Sequence, residues 1–474
     1  MRNVLKEILY LPGMQQQYKR TYFIGILAYI IMLAFSIIFY RERIILLDTA
    51  NNVFYFAANN TFAIGIFRFG NALNQLLPVL AVKAGASLDV IMILYSVSFH
   101  LYYFSCYLIC GSVFKRYDFA LVILLLNILF ISHTFYWVVS ELPLSMALLL
   151  VLLAMLGKRD IRSMTPLVWI AAAAITVTIA FFHPLCAFAV VCATAFLYYR
   201  RDIFADKRLL QLFTASFFIT VLVKAIFFRT PYEQHSLSGL KNFVVLFPNY
   251  LNTFSNRQFI EICGTHFYWI PVLFAATIIF YIKNKKWLQL AFFIASFFGY
   301  LMLVNISYPG KETPVFYIEN LYTPLALILA FPFIFELMPL LTKRNLQLPF
   351  LVLILVTGTI RVYATHNTYT NRLNWERNFI KVHGEKKLVY PSTLVPMDTL
   401  MMEWRTPYEF WLLSTTEQKK TASLIIDKKP ELRLWAAGLK KSMVVNWDIK
   451  PYADLDPKYF IFTDTITSYE IIRN

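Results

Sequence analysis

Charge is scarce in this sequence. Asp, Glu, Lys and Arg make up only 15% of its 474 residues, where a soluble domain carries about 25%. A solvated globular domain is therefore excluded for most of the chain. Cysteine is nearly absent too. Of Cys106, Cys110, Cys186, Cys192 and Cys263, four fall in apolar runs and only Cys263 in a polar connection, so neither a disulfide framework nor metal-ligand spacing is present. No glycine-rich phosphate loop follows any strand-like run, and no internal repeat occurs. Among the apolar runs only His100 lies clearly deep, which argues against a transporter with a paired ionisable pathway. A lipid-handling flippase escapes that argument.

What remains is hydrophobic. Apolar residues make up 59% of the chain and mean hydropathy is +0.58, the signature of an integral membrane protein. Runs of about 20 apolar residues can cross a bilayer as helices. Eleven are read, at 22–40, 88–110, 118–131, 137–156, 166–182, 184–199, 209–228, 267–282, 288–304, 321–340 and 347–363. His183-Pro184 splits one long stretch into the fifth and sixth of these. With a cytoplasmic N-terminus, eighteen of the 28 basic residues before 364 fall on inner segments, as the positive-inside rule asks. The net charge of +17 is then chiefly a topology signal, and nucleic acid is not implied. Arg41-Glu42-Arg43 follows the first run in place of a small-residue cleavage site, so that run reads as an uncleaved signal anchor.

An odd number of spans places residues 364–474 outside. This tail has 16 basic and 13 acidic residues. Its short β-rich runs, KKLVYP, TASLIID, KSMVVNW and KYFIFTD, alternate with helical stretches at 397–418 and 428–441. The expected architecture is mainly α: a polytopic membrane domain over 1–363 and a small extracytoplasmic α/β domain over 364–474 that supports or caps it.

Polar residues concentrate in the outer loops 41–87, 229–266 and 305–320, where function is expected. In the first of these, Phe69, Ala72, Leu73, Leu76, Leu77 and Leu80 have helical spacing opposite Asn71, Asn74, Gln75 and Lys83. That pattern describes either a helix in the membrane interface or one packed on neighbouring spans, kinked at Pro78. Carboxylates at this level are few: Glu42, Asp48, Asp89, Glu141, Glu233, Glu261, Glu312 and Glu319. Asp48 lies among Leu46, Leu47, Val53, Phe54 and Phe56, where desolvation would raise its pKa and suit it to taking a proton. The same residue would equally serve as an N-cap for a helix opening at Thr49. Glu141, beside Pro143, reads as a second acid or as a polar helix end. His133, His183, His235, His266, His366 and His383 all fall at this level, as anion, proton or metal partners or as helix-end residues bonding backbone.

A first span running outward, an acid soon after it in a long loop with interfacial helices, about eleven spans and a soluble tail together resemble the GT-C superfamily of membrane glycosyltransferases. Glu319, Tyr322 and Pro324, entering a late span in ENLYTPLALILAFP, resemble the polar-aromatic-proline entry of such enzymes. The resemblance implies an inverting transfer of a sugar from a polyprenyl-phosphate donor to a glycan or lipid acceptor hydroxyl, with Asp48 as the base and Glu141 as the alternate. Phosphate contacts would come from Arg41, Arg43, Arg68, Lys241, Arg257 and Lys311, supported by His183, His266, Glu319 and Tyr322 in substrate binding. Each of the cations also reads as a headgroup-facing charge. Many members carry paired acids in this loop, whereas Thr49 and Ala50 follow Asp48 here, so a divalent metal has no support and no cofactor is expected. The setting is a multi-pass membrane protein, expected in a bacterial inner membrane. The rival readings are a lipid-linked glycan flippase or transporter and a non-catalytic envelope scaffold.

Overall fold

A computed structural model describes residues 2–200, 203–232, 238–342, 345–445, 448–464 and 466–472. The chain is mainly helical (72%) with a small C-terminal sheet. Among the described residues, six helices are long and apolar enough to cross a membrane: Tyr18–Ile38, Leu88–Val113, Lys207–Phe227, Trp287–Ser307, Val315–Thr342 and Gln347–His383. The pair Phe254–Thr265 and Trp269–Lys283, bent by 91°, makes a seventh if counted as one span, and four shorter apolar helices lie beside these.

Those short helices have local causes. Tyr117–Leu126 stops after ten residues, and the chain continues irregularly to Ser132. Arg361, reaching across from the helix Gln347–His383, donates to the carbonyls of Ile131 (3.0 Å) and Ile128 in this stretch and to that of His266 (2.7 Å). A buried guanidinium thus supplies donors that irregular backbone needs at membrane depth. Leu121 to Leu126 and most of Glu141–Gly157 are buried on every side, so these two helices form the centre of the bundle. Pro166–Ala180 and Cys186–Tyr199 are separated by a turn over His183-Pro184, where the proline breaks the apolar run as its chemistry requires. The first helix and Leu88–Leu108 approach closely because Gly25 leaves room for the Tyr107 ring and Gly111 for that of Tyr22. The two rings stack at 4.8 Å.

The helix of the first loop is oriented by its polar side. In Ala72–Lys83, Asn74 and Gln75 are buried: Asn74 accepts from Ser98 (2.8 Å), and Gln75 both accepts from and donates to the backbone of Ala63. Phe69, Leu73, Leu76 and Leu80 face outward and remain about half exposed. An apolar face turned away from the protein is what an interfacial helix presents to lipid.

The last bundle helix, Gln347–His383, runs unbroken past residue 364 into the C-terminal domain, so the expected boundary falls inside a rigid element. There β1 (Leu388–Pro391) lies between β2 (Leu424–Asp427) and a short C-terminal strand, Glu470–Ile471, all parallel. A separate antiparallel pair joins Ser442–Val445 to Asp448–Pro451. The run KYFIFTD is not a strand. The Thr421 hydroxyl takes the Ile461 N–H (2.8 Å), which a ladder partner would otherwise accept. The expected helix over 397–418 is two, Met397–Leu400 and Thr406–Gln418, parted where Met401 and Arg405 adopt positive φ. Over 428–441 the chain forms a 3-10 helix, Pro430–Gly438.

The domain is clamped to the first loop. Phe54 sits edge-on to Tyr408, Trp411 and Phe460 at 5.0–5.2 Å. Beside this aromatic cluster, buried Arg372 donates to the carbonyls of Ile45 (3.0 Å) and Leu400 (3.1 Å) and pairs with Glu376 and Glu409. Glu409 in turn accepts the N–H of Leu47. One residue further on is Asp48.

Candidate functional site

The helix Leu47–Asn59 begins one residue before Asp48, and its N-cap is Leu46, without a side-chain bond. Asp48 is therefore in the first turn and is not the cap. Its carboxylate is favoured there by the helix dipole and is available for another partner. That partner is Arg405, whose Nε lies 3.2 Å from Oδ1, while its Nη1 donates to Asn51 at 2.9 Å. Arg405 rests over the Trp404 ring at 4.4 Å and near that of Tyr408 at 5.7 Å.

A second acid–base pair borders the first. Arg68 Nη1 meets Glu141 Oε2 at 2.7 Å, each side chain about one-seventh exposed. Glu141 opens the helix Glu141–Gly157, and Arg68 stands just before the interfacial helix, 5.9 Å from the Tyr232 ring centre. Desolvation works against the Arg68 charge, but Glu141 more than restores it and holds the guanidinium above its ordinary pKa. The two pairs feel one another. Burial raises the pKa of Asp48, Arg405 pulls it back, and the charge of Glu141 pushes it up again. This is the environment that moves a carboxylate toward neutral pH while leaving it paired. His183 borders the Arg68 side, its pKa lowered well below the ordinary value by burial, with Arg68 and Lys224 adding to the effect. Trp137, packed on Phe316 and Tyr317, holds a buried indole N–H for which no hydrogen-bond partner is found.

The backbone around these charges is strained. Leu47 (φ 44°) precedes Asp48, Ile66 (56°) and Phe67 (53°) precede Arg68, and Arg405 itself has φ 77°. Left-handed conformations cost a non-glycine residue about 1–2 kcal/mol each. Such residues gather where surrounding structure enforces a functional geometry.

Of the expected site residues, Asp48, Glu141, Arg68 and His183 converge here. The others are elsewhere. Arg41 is paired with Asp89 (3.4 Å) and Glu417 (3.6 Å). Arg43 is buried, donates to the Ser96 carbonyl (3.1 Å) and lies over Phe135. Lys241, Arg257 and His266 are exposed between Lys207–Phe227 and Trp269–Lys283, and Lys311 lies over Phe254 at 5.4 Å. Glu319 is buried, accepting from the backbone and hydroxyl of Thr134 (both 2.9 Å), and Tyr322 donates to Asn305 (2.6 Å). These two hold helices together. The remaining described histidines do not join: His133 meets Tyr369, His366 stacks on Phe39, and the His383 ring is tilted against that of Phe379. Glu233 and His235 lie outside the described residues.

Three participants were not expected: Arg405, from a tail read only as a support, Lys224, from within a span, and Tyr232. The WRTPYE run held the one available signal for Arg405, a cation between aromatic residues at a proline-started helix. Among the described residues, no group of three or more His, Cys, Asp or Glu side chains is placed to hold a metal ion. Comparison of the chain with protein-family models, curated proteins and solved structures gives no match.

Proposed function

We propose that the chain is a polytopic membrane glycosyltransferase resembling the GT-C superfamily, acting on a polyprenyl-phosphate sugar in the outer leaflet. The observation that carries the proposal is the convergence of Asp48 and Arg68 from the first loop, Glu141 from the start of its helix and Arg405 from the C-terminal domain, on strained backbone. The six long helices and the bent pair supply up to seven crossings, and in this reading the four shorter apolar helices complete the eleven. With basic residues on the inner side, this reading turns the Asp48 site and the C-terminal domain outward.

In this reading the Asp48 carboxylate accepts the proton of the acceptor hydroxyl as that oxygen attacks the anomeric carbon. The bond from that carbon to the phosphate oxygen breaks on the opposite face, and configuration inverts. Arg68 and Lys224 balance the charge that grows on the departing phosphate, Arg68 being suited to a bidentate contact. Arg405 keeps Asp48 oriented and ionised. The exposed apolar face that begins at Phe69, directly after Arg68, gives the isoprenoid chain a surface beside the phosphate. The acceptor is a glycan or lipid hydroxyl.

The test is transfer from a panel of radiolabelled polyprenyl-phosphate sugars in membranes containing the wild-type protein. The expected result is a labelled product of inverted configuration from one donor class. Absence of transfer with every donor would put the flippase or transporter and scaffold readings ahead.

A further inference from the structure

The clamp beside Asp48 holds more acid than base. Arg372 and Glu376 stand on Gln347–His383 beyond its apolar run, and Glu409 on Thr406–Gln418, the helix packed on Leu47–Asn59. Arg372 Nη1 lies 2.8 Å from Glu376 Oε1 and Nη2 2.6 Å from Glu409 Oε2, and none of the three side chains is more than 1% exposed. Two carboxylates therefore share one guanidinium where water does not reach. Their hydrogen bonds differ. Glu409 accepts from Arg372 and from the Leu47 N–H, whereas no hydrogen-bond partner is found for either oxygen of Glu376 among the described residues. Donors favour the charged form of a carboxylate, and their absence disfavours it.

The surrounding charges do not make up the difference. Arg377 is bound to Glu417 through contacts of 2.8–3.1 Å, Arg41 lies between Asp89 and Glu417, Arg43 faces the Ser96 carbonyl and Phe135, and Arg405 meets Asp48. Glu42, accepting from Thr370 (3.0 Å), and exposed Asp398 add only negative charge. Tyr369 donates to the His133 carbonyl as a neutral phenol. Burial raises the pKa of both Glu376 and Glu409, Arg372 draws each back, and at Glu376 the charge of Glu409 outweighs that of Arg377. An excess negative charge in a buried place is relieved by taking up a proton. We propose that Glu376 and Glu409 hold one proton between them, resident on Glu376, and that this proton latches the backbone that carries Asp48. Glu409 Oε1 holds the Leu47 N–H and Arg372 the Ile45 carbonyl (3.0 Å), so the bend at Leu47, with φ 44°, depends on the triad. Loss of the proton leaves two charged carboxylates about one guanidinium. Their repulsion loosens the contacts that enforce the bend, and alkaline pH frees the turn holding Asp48 from the C-terminal domain. The latch itself does not require sugar transfer; only its effect on Asp48 as a base rests on the proposed function.

The sign of the pH dependence follows from linkage. Solvated in an opened clamp, the carboxyls ionise at about 4.3, whereas the closed clamp keeps one proton to a higher pH. The stability that the proton supplies is complete below the solvated value and is lost as pH rises through the raised one. Over that interval opening becomes easier by up to about tenfold per pH unit.

The test uses the purified full-length protein in a neutral detergent and reads backbone hydrogen exchange over residues 45–54 against pH, relative to an unstructured peptide of the same sequence. Wild-type protection is expected to fall with rising pH by up to about tenfold per unit and then to level off. In Glu376→Gln an amide stands for the protonated acid and Arg372 balances Glu409, so protection should not change with pH. An infrared band of a protonated carboxyl, present in the wild type at neutral pH, should be missing from this variant. If Glu376→Gln does not fold, Glu409→Gln, which keeps an oxygen for the Leu47 N–H, should abolish the pH dependence in the same way. Where transfer is detected, Glu376→Gln should retain it to higher pH than the wild type; absence of transfer would count against the proposed function and leave the exchange result standing. The same pH dependence of protection in the wild type and the variants, or no carboxyl band that Glu376→Gln removes, would overturn the latch.

Discussion

Two arginine–aspartate pairs in this molecule differ in what they leave over. At the end of the bundle remote from the C-terminal domain, Arg116 meets Asp118 through three contacts of 2.9–3.2 Å, lies over Phe119 at 4.3 Å, and is 1% exposed against 0% for its partner. Asp118 also accepts the N–H of Phe119. Near the C-terminal domain, Arg405 Nε lies 3.2 Å from Asp48 Oδ1 with both side chains about a quarter exposed, next to a second acid and a second arginine. The first pair uses its hydrogen-bonding capacity internally and is spent on the fold. The second is partly exposed and stands among further charges, on backbone that the rest of the structure must force. A fully buried pair marks architecture, and a partly exposed one beside a second acid–base pair marks a candidate site.

Breaking the pairs should separate these roles. Asp118→Ala strands a buried guanidinium and is expected to cost about 3–5 kcal/mol, read as loss of folded protein or a large drop in melting temperature. Arg405→Gln is expected to change stability by no more than about 1 kcal/mol, as for other partly exposed pairs, while lowering transfer about tenfold or more. Comparable melting losses in the two variants would erase the distinction. The pH profile sharpens it further. Because burial raises the pKa of Asp48, the ionised base is lost as pH falls through that raised value. The acid limb of kcat/KM should therefore lie above the ordinary aspartate range of about 3.9, and in Arg405→Gln it should move higher still. Smallest of all, Arg41→Gln should leave transfer and melting within about 1 kcal/mol of wild type, since its partners Asp89 and Glu417 are on the surface.

The sequence announces some of this arrangement and conceals the rest. Asp48 and Glu141 are legible because acids are rare at the ends of apolar runs, and His183-Pro184 shows its break openly. The helix of the first loop could be read as amphipathic, but only packing shows that Asn74 and Gln75 point inward. Arg405 could not be placed, since it reaches Asp48 only through the clamp in which Arg372 and Glu409 hold Ile45 and Leu47. Of the basic residues expected as phosphate contacts, Arg68 stands beside Glu141 and Asp48, and sequence does not single it out because charge at a headgroup level suits a membrane protein whether or not it serves a site. Lys224, Glu336 and Arg361 were hidden for a simpler reason. A single polar residue scarcely lowers the hydropathy of a span, yet each of these three is buried and bonded at a place where helices end or break.

The central claim is that Asp48 takes the acceptor proton. It is tested most directly by measuring donor binding and sugar transfer together in membranes carrying wild type or Asp48→Asn at matched expression. The account predicts that Asp48→Asn keeps donor binding and loses transfer by about 100-fold or more, the contribution of a positioned general base. Equal transfer by both proteins would remove Asp48 from the chemistry and pass its role to Glu141.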